Sequence, residues 1–406
     1  MSSIFIFRKN YIAITKEVPA TGGIYTEGIL QSSASGLSDS IASLTHLGLT
    51  RLGPDGTIQP AVAKSWTISP DGKIYTFILN DQYSSSELID YFRVQKGKWS
   101  DIQITSPDEH TLQFTLKQSF GLFLASTFRP ILPFGPYKIS KQTSLQITLV
   151  PNTVKPLSKP YISKVIFQIF STQQELSQAL KSGKVTATDE QIDSDSLRCC
   201  QKYSTSMPRY NVAFLNTEHL PDIAIRKQIL NGPSFAEPKK LNLLRANTDP
   251  AAKFTDELIK DFATRNIQIT QKIISPIDLI AEATKKQYDI LVYGFNTGYY
   301  DDPYLYWHST QIPPKGNNFS LYKNKAADRL IEEGRTTLDE KIRREKFVQA
   351  KTLVKDEAVA IFQNNQSYTF YANKSVKGID IKYLTTAPSR FTFIDKWYIK
   401  TKRVHK

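Results

Sequence analysis

Residues 290–293 (Ile-Leu-Val-Tyr) are a short apolar run that reads as a buried strand, and the pattern before them sets their surroundings. Residues 241–244 are apolar and strand-like. Asp249-Pro250 reads as a cap followed by proline at the first helical position, and Phe254, Leu258 and Phe262 fall on one helical face that Asn266 ends. Ile267, Ile269 and Ile273 alternate as a half-buried strand, and residues 276–285 are long enough for a second helix. The resulting β-α-β-α-β order calls for parallel strands with right-handed crossovers. Open parallel sheets bind ligands at loops leaving the carboxyl ends of their strands. Gly294 is expected to mark where the backbone leaves the last strand, which makes residues 296–307 the ligand loop.

Earlier in the chain, residues 1–21 read as an N-terminal tether, residues 22–29 as a strand-like start, residues 31–40 as a serine-rich loop, and residues 41–49 as one or two helical turns. Pro54-Asp55-Gly56 and Pro70-Asp71-Gly72 are turn signals between strand-like runs. Ile74, Thr76 and Ile78 alternate with Tyr75, Phe77 and Leu79, so both faces of that strand are expected to be buried. Ile102, Ile104 and residues 111–116 read as a hairpin, giving a small, mainly antiparallel unit over 51–134. Residues 164–170 read as a strand, Thr172 as a helix cap with Glu175 three positions on, and Leu176 and Leu180 as one face before Gly183 and a strand at 185–188. This is a second β-α-β unit. Residues 211–216 are an apolar strand, Asn324 caps a helix to Gly334, residues 339–357 align Phe347, Ala350 and Val354, and residues 361–371 are strand-like. Two α/β regions separated by one strand and rejoined by another suggest two lobes joined by two crossing segments, with a cleft that closes on a small ligand.

Composition narrows the function classes. The 406 residues allow about two to three domains, and 40% hydrophobic content supplies real cores. The net charge of +14 is spread along the chain, with local clusters only at 341–346 and 396–406, and no aromatic-basic RNA-binding pattern accompanies it; no nucleic-acid partner is expected. Cys199 and Cys200 are adjacent and fit no metal spacing, so they read as free thiols without an assigned role. No apolar run is long enough to span a bilayer. Residues 4–7 are too short for a signal h-region before Arg8-Lys9, and no lipidation cysteine follows. GxSxG, Walker, GxGxxG and HExxH motifs are absent, which leaves a hydrolase as a remote alternative.

Several motifs stand in series: GLTRLGPDGTIQPAVAKSWTISPDGKIYTFIL (48–79), GPYKI (135–139), NVAFLNT (211–217) and YDILVYGFNTGYYDDPYLYWHST (288–310). With residues 159–185 and 319–362, they resemble the extracellular solute-binding proteins of family five, the oligopeptide-, dipeptide- and nickel-binding components of ABC importers. The resemblance runs from about Gly22 to Gly378. It implies an α/β, two-lobed, periplasmic-binding-protein-like fold of class II with hinge strands. Lobe I is then expected over 22–50, 135–210 and 373–406, a small β-rich subdomain over 51–134, and lobe II over 211–372. It also implies an extracytoplasmic monomer, without a cofactor, that delivers a peptide or similar small solute to a membrane permease.

In peptide-binding members of that family an aspartate after the equivalent strand pairs with the ligand's α-amine. That position falls on Tyr299 here, with Asp301 and Asp302 as nearby substitutes. These two carboxylates read either as a turn before Pro303 or as a cation anchor. Tyr299, Tyr300, Tyr304, Tyr306 and Trp307 are expected to line the pocket, and Phe295 either joins them or lies under the sheet. His308 reads as a hydrogen-bonded structural residue. The chain departs from the family after Asp81, where a tryptophan-aspartate-glycine segment and a helix are expected, and after Gly232, where a helical block is missing. A trimmed receptor and a degenerate paralogue serving as a surface scaffold or adhesion protein both fit those losses.

Overall fold

The structure, a computed structural model, describes residues 14–94, 99, 101–192, 197–363 and 367–406. Its first sheet has seven strands in the order Cys200–Ser206, Ser367–Asn373, Ala187–Thr188, Ile24–Leu30, Lys164–Phe170, Gln146–Pro151 and Tyr137–Gln142. Ile24–Leu30 lies parallel to Lys164–Phe170 on one side and to Ala187–Thr188 on the other. The Gln173–Lys181 helix makes the crossover between those two flanking strands. Its start is fixed locally, because the Thr172 hydroxyl accepts the Glu175 amide while the Glu175 carboxylate accepts the Thr172 amide. Tyr25, Phe167, Phe370 and Trp397 fill the core of this lobe.

The second sheet orders Ile267–Ile274, Lys239–Ala246, Ile290–Asn296, Arg209–Leu215 and Ala360–Phe362. Its first three strands are mutually parallel and the fourth is antiparallel to both its neighbours. Both faces of the central strands are covered, which is why Arg209–Leu215 and Ile290–Asn296 carry continuous apolar runs, whereas the edge strand Ile267–Ile274 is mostly exposed. Leu291 packs with Phe214 on one face, while Ile290 and Val292 pack with Phe254 and Phe262 on the other. The Asp249–Thr264 helix that supplies those phenylalanines has Thr248 at its N-cap and ends before Asn266, which takes a left-handed φ of 58°.

Gly294 does not end the third strand. It pairs with Asn211 inside a strand that runs on to Asn296, and a Cβ there would stand 2.9 Å from Asn211 Oδ1. The glycine thus admits a close side-chain approach rather than marking an exit.

A third sheet of four antiparallel strands, Ala63–Ile68, Ile74–Leu79, Thr111–Thr115 and Gln103–Asp108, forms a separate small core. Tyr75, Phe77 and Leu79 are fully buried there, whereas Ile74, Thr76 and Ile78 on the opposite face are half-buried, so only one face of that strand is enclosed. A helix does follow Asp81, contrary to the expected loss: Ser85–Val94 packs Leu88, Ile89 and Phe92 onto the sheet.

Two further expectations change. The serine-rich segment is helical, a 3₁₀ turn at Gln31–Gly36 leading into Leu37–Thr45, because Leu37 and Leu44 are drawn into the first core. The tether over 1–21 lies outside the described residues as far as 13, and Thr15–Ala20 is a strand paired antiparallel with Lys400–His405.

The chain passes between the two large sheets twice. It leaves Cys200–Ser206 of the first and enters Arg209–Leu215 of the second through Met207 and Pro208. It returns from Ala360–Phe362 to Ser367–Asn373, so the stretch at 361–371 is two strands shared between sheets. This is the arrangement in which two bodies rotate about a pair of short connections.

Candidate functional site

A cavity of about 540 Å³ lies where the three sheet units meet. The first lobe contributes His46 and residues from 385–392, the small unit contributes Arg51 and residues from 120–130, and the second lobe contributes residues 296–300 and Asp302. The last group leaves the carboxyl end of Ile290–Asn296, as the parallel topology requires.

That loop is held from both sides. Asn296 donates through Nδ2 to the Thr385 carbonyl at 2.6 Å, across to the other lobe, and accepts the Gly298 amide at 2.7 Å. The Thr297 amide donates to the carbonyl of Pro208 at 2.9 Å, tying the loop to one of the two crossings. Tyr299 reaches furthest. Its hydroxyl donates to the Gly56 carbonyl at 2.9 Å, and its ring lies edge-on to Phe128, Tyr300 and Tyr383. Burial pushes the Tyr299 and Tyr300 phenols up to about 12, so both remain donors at physiological pH.

The acidic pair is engaged inside the second lobe. Asp301, at a φ of 54°, pairs with Lys351. Asp302 pairs with Arg335 at 3.2 Å and accepts the Tyr304 amide at 3.0 Å; burial pushes its carboxyl upward against the pull of Arg335. Arg335 is itself stacked on the Tyr304 ring at 3.8 Å.

Of the predicted contacts, Tyr299, Tyr300 and Asp302 line the cavity, and Asp301 does not. Phe295, Tyr306 and Trp307 are corrected to core residues. The Tyr304–Trp307 helix folds back onto the sheet, stacking Tyr306 on Phe295 with 3.8 Å between ring centroids and setting Trp307 against Phe214 at 5.2 Å. His308 is buried and hydrogen-bonded to Thr310, as expected of a structural residue.

Sequence reasoning missed Arg51, Arg129 and His46. They sit on segments distant from the aromatic loop, and no local pattern marks them as facing it. His46 contacts Thr45 Oγ1 at 2.8 Å, and burial holds its ring below the usual histidine range, hence neutral at pH 7. Among the described residues, no group of three or more His, Cys, Asp or Glu is placed to hold a metal, and no helix is long and apolar enough to cross a membrane.

No family model matches the sequence. It is 24% identical over 428 residues to the probable D,D-dipeptide-binding periplasmic protein DdpA of Escherichia coli (strain K12), spanning 79% of this chain and 82% of the relative. It is 21% identical to the dipeptide-binding protein DppE of Bacillus subtilis (strain 168), spanning 82% and 83%. The fold superimposes with a TM-score of 0.71 on the ABC transporter-associated periplasmic binding protein DppA from Helicobacter pylori in complex with the peptide STSA, over 97% of this chain and 99% of that one at 16% identity.

The chain is thus similar in sequence to two dipeptide-binding proteins and in fold to a periplasmic binding protein. It has the two-lobed, periplasmic-binding-protein-like α/β architecture with an added small antiparallel unit. Tyr299, at the position where the sequence resemblance implies an amine-pairing aspartate, has its hydroxyl bonded to the Gly56 carbonyl.

Proposed function

We propose that the protein is the substrate-binding component of an ABC importer, capturing a peptide or similar small solute between its lobes and presenting the closed form to a membrane permease on the outer side of that membrane. The observation that carries this reading is the cavity itself. It is walled by all three units, and its mobile-lobe side is a loop bonded to a crossing segment at Pro208. A solute that touches both lobes stabilises the closed arrangement by the difference in its contacts between closed and open states. The names of the relatives support a peptide-like cargo. Tyr299, Tyr300 and Asp302 are the proposed contacts from the aromatic loop; Asp301 is assigned to the Lys351 pair. The proposed role is non-catalytic, and the one acid among the lining residues described is tied to Arg335.

Small-angle scattering with and without a pooled peptide digest tests the reading. A receptor contracts measurably when the pool is added. An unchanged radius of gyration, with no rise in melting temperature, would instead favour a scaffold with an idle cleft.

A further inference from the structure

We propose that Cys199 and Cys200 form a reversible redox site, a thiol pair that an external disulfide oxidises to a ring closed between the two adjacent residues. Neither cysteine lines the interlobe cavity, so the site stands apart from solute capture.

The pair is held where the chain enters the first sheet. Cys200 opens the Cys200–Ser206 strand opposite Asn373, and the Lys374 amide donates to the Cys199 carbonyl at 3.2 Å, which fixes the peptide unit between the two cysteines. The Met207–Pro208 crossing lies at the other end of that strand. Along a regular strand neighbouring side chains point to opposite faces. Here Cys199 stands in the turn just before the strand, and the two Sγ atoms come to 3.2 Å from each other. The Cys199 Sγ lies 3.8 Å from the Leu180 carbonyl at the end of the Gln173–Lys181 helix, and Cys200 packs on the small cluster of Leu176, Leu180 and Val185. Both residues are half-buried, open enough for a reagent to reach them. A disulfide has about 2.05 Å between its sulfurs, so the bond asks for a closure of about 1 Å.

Burial and the neighbouring Cys199 push the Cys200 thiol up to about 12, so Cys200 keeps its proton at neutral pH and Cys199 attacks first. The Cys199 thiolate displaces one thiol from the external disulfide and becomes a mixed disulfide. Cys199 then ceases to raise Cys200, and the Lys374 ammonium favours the Cys200 thiolate. Cys200 attacks the Cys199 sulfur and expels the second thiol. Two electrons pass from the protein pair to the reagent, whose two halves leave as thiols carrying the two protons. The external disulfide is the oxidant, and the extracytoplasmic placement proposed above is one where such oxidants act.

The ring joins residues whose Cα atoms are about 3.8 Å apart, shorter than the usual disulfide span of about 4.4–6.8 Å. Such a bond is readily reduced, and it closes almost no loop, so it serves as a labile switch and not as a staple.

The test incubates the folded full-length protein with glutathione disulfide, alkylates the remaining thiols with N-ethylmaleimide, and reads intact and peptide masses. Wild type should lose two hydrogens, take up no maleimide and stay monomeric, with the link located between residues 199 and 200; excess reduced glutathione should restore both thiols. In Cys200→Ser the resolving thiol is gone, and a glutathione adduct on Cys199 should accumulate at least about ten-fold above the wild-type level, because an adjacent thiol outcompetes one in solution. Two alkylated cysteines after the oxidant, a stable glutathione adduct on wild type, a bond between two copies, or an adduct on Cys200→Ser no greater than on wild type each overturns the redox site. The oxidant is supplied in the assay, so all of these outcomes leave the receptor reading standing.

Discussion

Tyr299 spans the cavity from the second lobe to the Gly56 turn, and removing its hydroxyl should measurably loosen closure. In Tyr299→Phe the 2.9 Å bond to the Gly56 carbonyl is lost, while the edge-on contacts with Phe128 at 5.7 Å and Tyr383 at 6.3 Å are kept. A neutral hydrogen bond contributes about 1 kcal/mol net, so the closed-to-open ratio should fall about five-fold. Tyr299→Ala also removes the ring contacts, at about 0.5–1.5 kcal/mol each, and should shift the ratio by roughly a hundred-fold. If only the closed form holds solute tightly, affinity weakens by up to the same factors when the free protein is mostly open. The assay is the distance distribution between spin labels at Lys141 and Lys260, in a background with Cys199 and Cys200 replaced by serine, together with calorimetric affinity for a retained peptide. The reasoning is refuted if neither variant changes the distribution, or if Ala costs no more than Phe.

Three further outcomes follow from the packing. Glu27 and Arg390 form a buried ion pair in the first lobe, with Asp189 also 3.4 Å from Arg390; Arg390→Met should cost about 3–5 kcal/mol in urea unfolding at pH 7.5, and adding Glu27→Gln should recover more than half. Burial, opposed by Arg390, pushes the Glu27 carboxyl from the ordinary 4.5 to about 7, so the folded state holds this proton more readily than the unfolded one. Its contribution is then full below about pH 4.5 and is lost as pH rises through 7, and stability relative to Glu27→Gln should fall by up to about 3 kcal/mol over that window. Asn324→Ala removes the acceptor for the Ala326 and Ala327 amides at 2.9 and 3.0 Å, and should lower the unfolding free energy by about 1 kcal/mol.

Features governed by near neighbours were legible in the chain. The Thr172–Glu175 box, the Asn324 cap and the apolar run at 290–293 each depend on residues a few positions apart, and each stands as read, although the strand itself runs on to Asn296. Features governed by distant partners were not. The Thr15–Ala20 strand is polar and acquires its form only from Lys400–His405, and the serine-rich helix depends on burying Leu37 and Leu44 against the first lobe. The site shows the same division. Parallel topology was read as making 296–307 the ligand loop; residues 296–300 and Asp302 line the cavity, whereas Tyr304–Trp307 is a helix, and aromatic composition is the same whether a ring faces a pocket or a core. Only the fold-back of Tyr304–Trp307 sends Phe295, Tyr306 and Trp307 inward and leaves Tyr299 and Tyr300 on the wall. Arg51 and Arg129 meet that loop purely through tertiary assembly.

Native mass spectrometry of the gently purified protein, repeated after denaturing release of anything bound, tests the central claim most directly. A working receptor carries a stoichiometric small solute, and the present account predicts one. A bare polypeptide mass that stays bare after incubation with a peptide digest would contradict it.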